Sequence, residues 1–203
     1  MIPQSLSHIR HEKSKPSRKY GCLMAVLPYG ITNQILKWTR GNVDHRHLSE
    51  EGVEDKVHVT VKYGFEDEGV IDQIEDALRP FRPFVIRLKT LSLFRGTEDG
   101  DVLKVDVESS VLREINRYVS NSFACHDKYP VYKPHLTLAY LKPSFSSAYL
   151  AAKPPFVNTA VLVTRLEYST ADREKIVIDL SSGEKALSWL STTAGGALVK
   201  PPG

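Results

Sequence analysis

The chain has 203 residues, 41% hydrophobic and 25% charged, with a formal net charge of +3. Such a chain buries a sizeable core, and neither a run of ~18 apolar residues nor a signal-type apolar stretch behind its first basic residues is present, so a cytoplasmic protein with no membrane association is expected. The mild positive charge does not call for a long nucleic acid on a broad basic surface, but it leaves room for a small, highly charged ligand.

Basic residues crowd the start of the chain, where apolar residues are sparse, and residues 1–18 read as a basic arm outside the folded unit. Residues 20–27 form a strand pattern stopped by Pro28. A helix follows, capped by Thr32 or Asn33, with Ile31, Ile35 and Trp38 on its core face and Gly41 at its end. A polar loop, residues 42–56, leads to the alternating strand Val57-His58-Val59-Thr60-Val61-Lys62-Tyr63. Next come a helix through Val70, Ile74 and Leu78 closed by Arg79-Pro80, a strand over 84–94, and a turn at Gly96 to Gly100.

The same order then begins again. Residues 102–107 read as a strand, and Ser109 or Ser110 caps a helix through Leu112, Ile115, Val119 and Phe123. A polar loop runs to Pro134, followed by the strand His135-Leu136-Thr137-Leu138-Ala139-Tyr140. A short helix near 146–152, strand-like residues 157–168 and a further strand over 175–180 complete the series. Residues 183–203, with a short helix around Trp189, read as a tail. The two histidine strands are 77 residues apart, a period too long for a solenoid. One domain of two pseudo-symmetric lobes around a shared cleft, residues 19–182, is therefore expected.

Alternation puts His58, Thr60 and Lys62 on one face of their strand, with Val59, Val61 and Tyr63 on the other. His135 and Thr137 repeat the arrangement. In each half an imidazole and a hydroxyl point away from an apolar face, and the pseudo-twofold would bring the two pairs face to face. Two imidazoles suit transesterification of a phosphodiester: one takes the proton of a ribose hydroxyl while the other protonates the departing oxygen. The ordinary histidine pKa of about 6.5 lets both forms coexist near neutrality. Threonine hydroxyls beside them donate to the non-bridging phosphate oxygens. No metal or other cofactor is expected, because neither strand carries further carboxylate or thiolate ligands at a useful spacing. A single His-x-Thr is common by chance; two copies at the same place in a repeated order of elements are not.

The motifs His58-Val59-Thr60-Val61 and His135-Leu136-Thr137-Leu138 resemble the paired His-x-Thr-hydrophobic motifs of the 2H phosphoesterase superfamily, which includes RNA 2',3'-cyclic phosphodiesterases and 2',5'-RNA ligase-like proteins. The resemblance runs over about residues 20–180. It implies an α+β fold in two lobes, each an antiparallel sheet with helices on its outer face, around a central cleft holding His58, Thr60, His135 and Thr137 as catalytic residues. Within the superfamily, residues 54–64, 101–109 and 132–143 are similar to phage anti-CBASS proteins, which destroy the cyclic oligonucleotide messengers of bacterial immunity. A phage enzyme of that branch would work in the host bacterial cytoplasm.

Further substrate contacts are expected around this cluster. The resemblance to that branch places an aromatic residue near Tyr20, which would stack on a nucleobase. Lys62 would meet a phosphate. Phe94 would sandwich a base, and Glu167, near the equivalent point of the second half, would accept hydrogen bonds from an exocyclic amine. His45 and His47 form a His-x-His pair in a loop without other ligands, which reads as solvated rather than metal-binding, and His126 reads as exposed. Cys22 and Cys125 are too few for a disulfide framework and read as reduced and structural.

Three functions fit these residues. The first is a phosphodiesterase cleaving 3',5' linkages of cyclic di- and trinucleotides through a 2',3'-cyclic phosphate. The second is an enzyme acting on RNA 2',3'-cyclic ends or 2',5' linkages. The third is a non-catalytic nucleotide-binding protein, against which the two intact motifs argue. Acidic and basic residues alternate beyond the arm, without the basic track that RNA ends would favour.

Overall fold

The computed structural model describes residues 20–66, 69–126 and 131–180. The expected arm (1–18) and tail (183–203), with the helix around Trp189, lie outside the described residues.

The first half runs β1 (Gly21–Val26), α1 (Tyr29–Asn42), β2 (Leu48–Val53), β3 (His58–Phe65), α2 (Val70–Leu78) and β4 (Phe84–Thr97). The second runs β5 (Gly100–Glu108), α3 (Ser110–Ser122), β6 (His135–Leu141), α4 (Pro143–Ser146), β7 (Ala160–Val163), β8 (Arg165–Ser169) and β9 (Lys175–Asp179). The chain is thus α+β, with antiparallel pairing at each strand junction.

Local chemistry accounts for most boundaries. Ser109 caps α3, its hydroxyl accepting the Leu112 N–H at 3.2 Å. The helix α1 starts one turn earlier than Thr32 or Asn33 would place it. Pro28 is its N-cap, extended at ψ 145° just before the first turn, and the Thr32 hydroxyl instead donates back to the Leu27 carbonyl. Gly41 lies inside the helix, which stops at Val43. The loop expected over 42–56 contains a short 3-10 turn, His45–His47, and the strand β2, which pairs with β6.

Among the described residues the nine strands join in one sheet, ordered β7-β4-β5-β6-β3-β1-β8-β9 with β2 also on β6. The two halves do not each close on themselves. The last strand of the first half, β4, pairs with β5 of the second, and β8 of the second pairs with β1 of the first. The pseudo-twofold therefore passes between β3 and β6, relating β1 to β5 and β8 to β4. Residues 157–168, expected as one strand, break at Thr164 because β7 and β8 belong to opposite ends of this order.

One face of the sheet carries the core. Leu23, Ala25, Val59, Val61, Leu88, Leu103, Val105, Leu136, Leu138 and Leu166 are almost fully buried with Ile35, Ile74, Leu112, Ile115 and Val119 of the helices. Each of these Val, Leu and Ile side chains contributes roughly 1.5–3 kcal/mol relative to exposure. Trp38 packs at the edge of this core, its ring edge-on to Phe156. Helix α3 lies against β3 and α1 against β6, so each half's helix covers the other half's histidine strand. The opposite face is left for the polar members of the same strands.

Candidate active site

The motif strands lie side by side. They meet at one antiparallel pair, Val59 with Leu136, both fully buried. Continuing that register one residue each way sets His58 level with Thr137 and Thr60 level with His135. The four half-buried side chains thus emerge as one compact cluster on the face away from the helices. They stand on either side of the central β3–β6 junction of one continuous sheet.

Both histidines are oriented alike. His58 Nδ1 lies 2.6 Å from the Lys56 carbonyl and His135 Nδ1 lies 2.7 Å from the Lys133 carbonyl, two residues upstream in each case. A carbonyl only accepts, so each Nδ1 carries the proton and Nε2 is left to exchange protons with a bound substrate. Burial pushes the His135 pKa below the ordinary 6.5; its carbonyl bond opposes this, while the nearby Lys104 charge adds to the depression and Asp106 opposes it.

Both strands carry a bulge just after the motif. The register steps from Met24 opposite Thr60 to Leu23 opposite Lys62, leaving Val61 extra, and from Lys104 opposite Thr137 to Leu103 opposite Ala139, leaving Leu138 extra. In the first half, carbonyls around the bulge are held from the second half: Tyr132 Oη donates to the Thr60 carbonyl at 2.9 Å and Asn116 Nδ2 to the Val61 carbonyl at 2.7 Å. The backbone that carries Thr60 is thereby fixed.

The first bulge also redirects Lys62. Alternation alone places Lys62 with His58 and Thr60, but Lys62 is only 5% exposed and the register puts it opposite the core residue Leu23, while Tyr63 opposite Cys22 takes the outward position at 43%. Lys62 is accordingly not carried onto the His58–Thr60 face. Phe94 does stand at the cluster, its ring edge-on to His135 at 4.8 Å between centroids. Glu167 lies across Met24 from Thr60, with its carboxylate paired to Lys175 Nζ. Tyr20, just before β1, stacks on His126 at 5.3 Å and meets Tyr63 edge-on at 5.9 Å. This platform sits about 13 Å along the strand from Met24, the residue level with Thr60. Gly64 permits it: at φ +100° the glycine accepts the His126 N–H at 2.7 Å, and a Cβ there would run into the His126 carbonyl.

Lys104, Asp106 and Ser92 belong to the site although the sequence reading did not single them out. Lys104 is 5% exposed, and its ammonium donates to Ser92 Oγ at 2.6 Å and to the Asp106 carboxylate. It also lies 4.3 Å from the centre of the Phe94 ring. The signal was the alternation of residues 102–107, which sets Lys104 and Asp106 on one face of a strand whose other face is apolar. The His-x-His pair splits: His45 is exposed, whereas His47 stacks on Phe145 at 4.1 Å and bonds Tyr149 Oη at 2.7 Å through Nδ1. Among the described residues no group of three or more His, Cys, Asp or Glu side chains is arranged to hold a metal ion, and no helix is long and apolar enough to cross a membrane.

Comparison with known proteins gives a family match and solved structures of similar fold. The family described as the 2'-5' RNA ligase superfamily matches residues 28–170. Among solved structures, TT0787 of Thermus thermophilus is similar with a TM-score of 0.58 and 15% identity, over 79% of this chain and 97% of that one. E. coli LigT complexed with 3'-AMP gives 0.58 and 16%, over 80% and 95%. A structure described as a phosphoesterase gives 0.52 and 17%, over 81% and 96%. No curated protein sequence matches significantly.

Proposed function

The chain belongs to the 2'-5' RNA ligase superfamily, and from that premise we propose that it is a phosphodiesterase that uses the 2'-hydroxyl of its own substrate as nucleophile, with His58, Thr60, His135 and Thr137 as catalytic residues and no metal. The observation that carries this reading is the pair of His-x-Thr groups on one sheet surface, each imidazole held by the same Nδ1 bond to a carbonyl two residues upstream. One Nε2 takes the proton of the 2'-hydroxyl as its oxygen attacks phosphorus. The other delivers a proton to the departing 5'-oxygen as the P–O bond breaks, leaving a 2',3'-cyclic phosphate. The threonine hydroxyls donate to the non-bridging oxygens, where negative charge accumulates.

The substrate class we favour is the cyclic di- and trinucleotides that serve as bacterial immune messengers, which would make the protein a phage counter-defence enzyme. The Tyr20–Tyr63–His126 platform and the Phe94 ring offer stacking surfaces on either side of the cluster for a ligand with more than one base. The second reading is an enzyme of RNA 2',3'-cyclic ends or 2',5' linkages; the family description and the 3'-AMP complex of LigT favour it. Incubation in EDTA with cyclic di- and trinucleotides beside 2',3'-cyclic-phosphate RNA separates the two. Ring opening of a cyclic nucleotide, lost in His58→Ala and in His135→Ala by about 10²- to 10⁴-fold each, is the expected result. Turnover of the RNA ends alone selects the second reading, and cleavage of these nucleotide substrates that survives either histidine replacement refutes both.

A further inference from the structure

The pseudo-twofold makes the two half-sites comparable residue by residue, and they differ in the residues opposite the motif: Val26 faces His58 where Asp106 faces His135, and the position beside each threonine differs too. Met24 is opposite Thr60 and Lys104 is opposite Thr137. On the next strands out, Glu167 is opposite Met24 and Ser92 opposite Lys104. The second half-site thus contains a buried ammonium where the first contains a thioether. Burying a lysine is costly unless its charge is met, and here Ser92 Oγ, the Asp106 carboxylate and the Phe94 ring meet it. The same Phe94 ring abuts His135 edge-on, and Asp106 is the residue opposite His135 in register.

We propose that Lys104 is a positioning residue that makes the two histidines chemically unequal: held beside Thr137 and against Phe94, its charge commits His135 to accepting the proton of the attacking hydroxyl and His58 to delivering one to the leaving oxygen. This rests on the phosphodiesterase reading above. The charged and titratable groups around His135 are Lys104 and Asp106 from β5 and His58 from β3, while β4 contributes the Phe94 ring. Lys104 and His58 both disfavour a second positive charge on His135, Asp106 favours it, and burial adds to the former. In the step itself, His135 Nε2 gains the hydroxyl proton as the new P–O bond forms. The electron pair of the broken P–O bond goes to the leaving oxygen, which takes its proton from His58 Nε2, so protons balance without a co-reactant.

Two measurements test this. Titration of the His135 and His58 ring signals by NMR in the full chain is compared with the same titration in Lys104→Met, which copies the first half-site into the second. The His135 midpoint should rise by about half a pH unit or more, with His58 moving less, and Lys104→Arg should restore the original midpoint. An unmoved or falling His135 midpoint in folded Lys104→Met overturns the proposal, as does a larger shift at His58. The second measurement uses uridine 3'-(4-nitrophenyl phosphate), whose leaving group departs without a proton. His58→Ala should then stay within about tenfold of the unsubstituted chain, while His135→Ala loses about 10²-fold or more. The reverse pattern overturns the assignment. If the unsubstituted chain cleaves neither this ester nor any cyclic nucleotide, the phosphodiesterase reading fails, and the role proposed for Lys104 in that reaction falls with it. The NMR midpoints, which need no turnover, are then still able to uphold or overturn the influence of its charge on His135.

Discussion

Replacing Tyr132 by phenylalanine tests how the first half-site is held in place. The Tyr132 hydroxyl donates to the Thr60 carbonyl at 2.9 Å, beside a bulge that takes the strand out of its regular ladder. Burial raises the phenol's pKa, so the hydroxyl keeps its proton and serves as donor throughout the working pH range. Phenylalanine preserves the ring and removes only the donor, leaving a part-buried carbonyl short of a partner. That costs about 1–2 kcal/mol, which for a chain of this size lowers Tm by roughly 2–8 °C. Tyr29→Phe, at a position 83% exposed, is the control and should change stability by less than about 0.5 kcal/mol. Thermal melts by circular dichroism supply both values, and kcat for Tyr132→Phe should fall several-fold with KM nearly constant, because Thr60 loses its fixed backbone. Equal melting temperatures for Tyr132→Phe and Tyr29→Phe would refute the argument.

Three further outcomes are expected. Thr60→Val and Thr137→Val should each lower kcat by about 10²-fold in steady-state assays while leaving the melting temperature near that of the parent, since each removes one donor to the phosphate. Ser109→Ala should destabilise the chain by about 1 kcal/mol in urea titrations, through loss of the hydroxyl that caps α3 at the Leu112 N–H. Because burial holds the His135 pKa below 6.5, the unfolded chain takes up a proton that the folded chain refuses. This contribution to stability is complete above pH 6.5 and is lost as pH falls toward the folded pKa, and urea titrations of His135→Gln should lack that part of the slope.

The candidate cluster of His58, Thr60, His135 and Thr137 was legible in the sequence because its signal is local. His58-x-Thr60 and His135-x-Thr137 each rest on the alternation of a strand, and alternation survives whatever the strand pairs with. What required the structure was non-local. The exchange of β4 and β8 between the halves leaves no trace in a single strand, since Phe94 and Glu167 read the same on either partner. Alternation misplaces Lys62 because of a bulge that depends on the register against Leu23 and Met24. Alternation gives the face of Lys104 but not its burial, because a lysine in a strand ordinarily reaches solvent, and only the neighbouring Ser92, Asp106 and Phe94 explain why it does not. The strand β2 reads as loop because Leu48-Ser49-Glu50-Glu51-Gly52-Val53 has polar residues between its two apolar ends, which are the residues that pair with β6.

The most direct test of the central claim is to follow cleavage of a cyclic dinucleotide by ³¹P NMR in EDTA, alongside the same molecule with 2'-deoxyribose at the scissile linkage. Attack by the ribose hydroxyl predicts a 2',3'-cyclic phosphate signal as the first product, a rate unchanged by chelation, and an intact deoxy substrate. Cleavage of the deoxy substrate at a comparable rate, or silence in EDTA, would contradict the account and point to an activated water as the nucleophile.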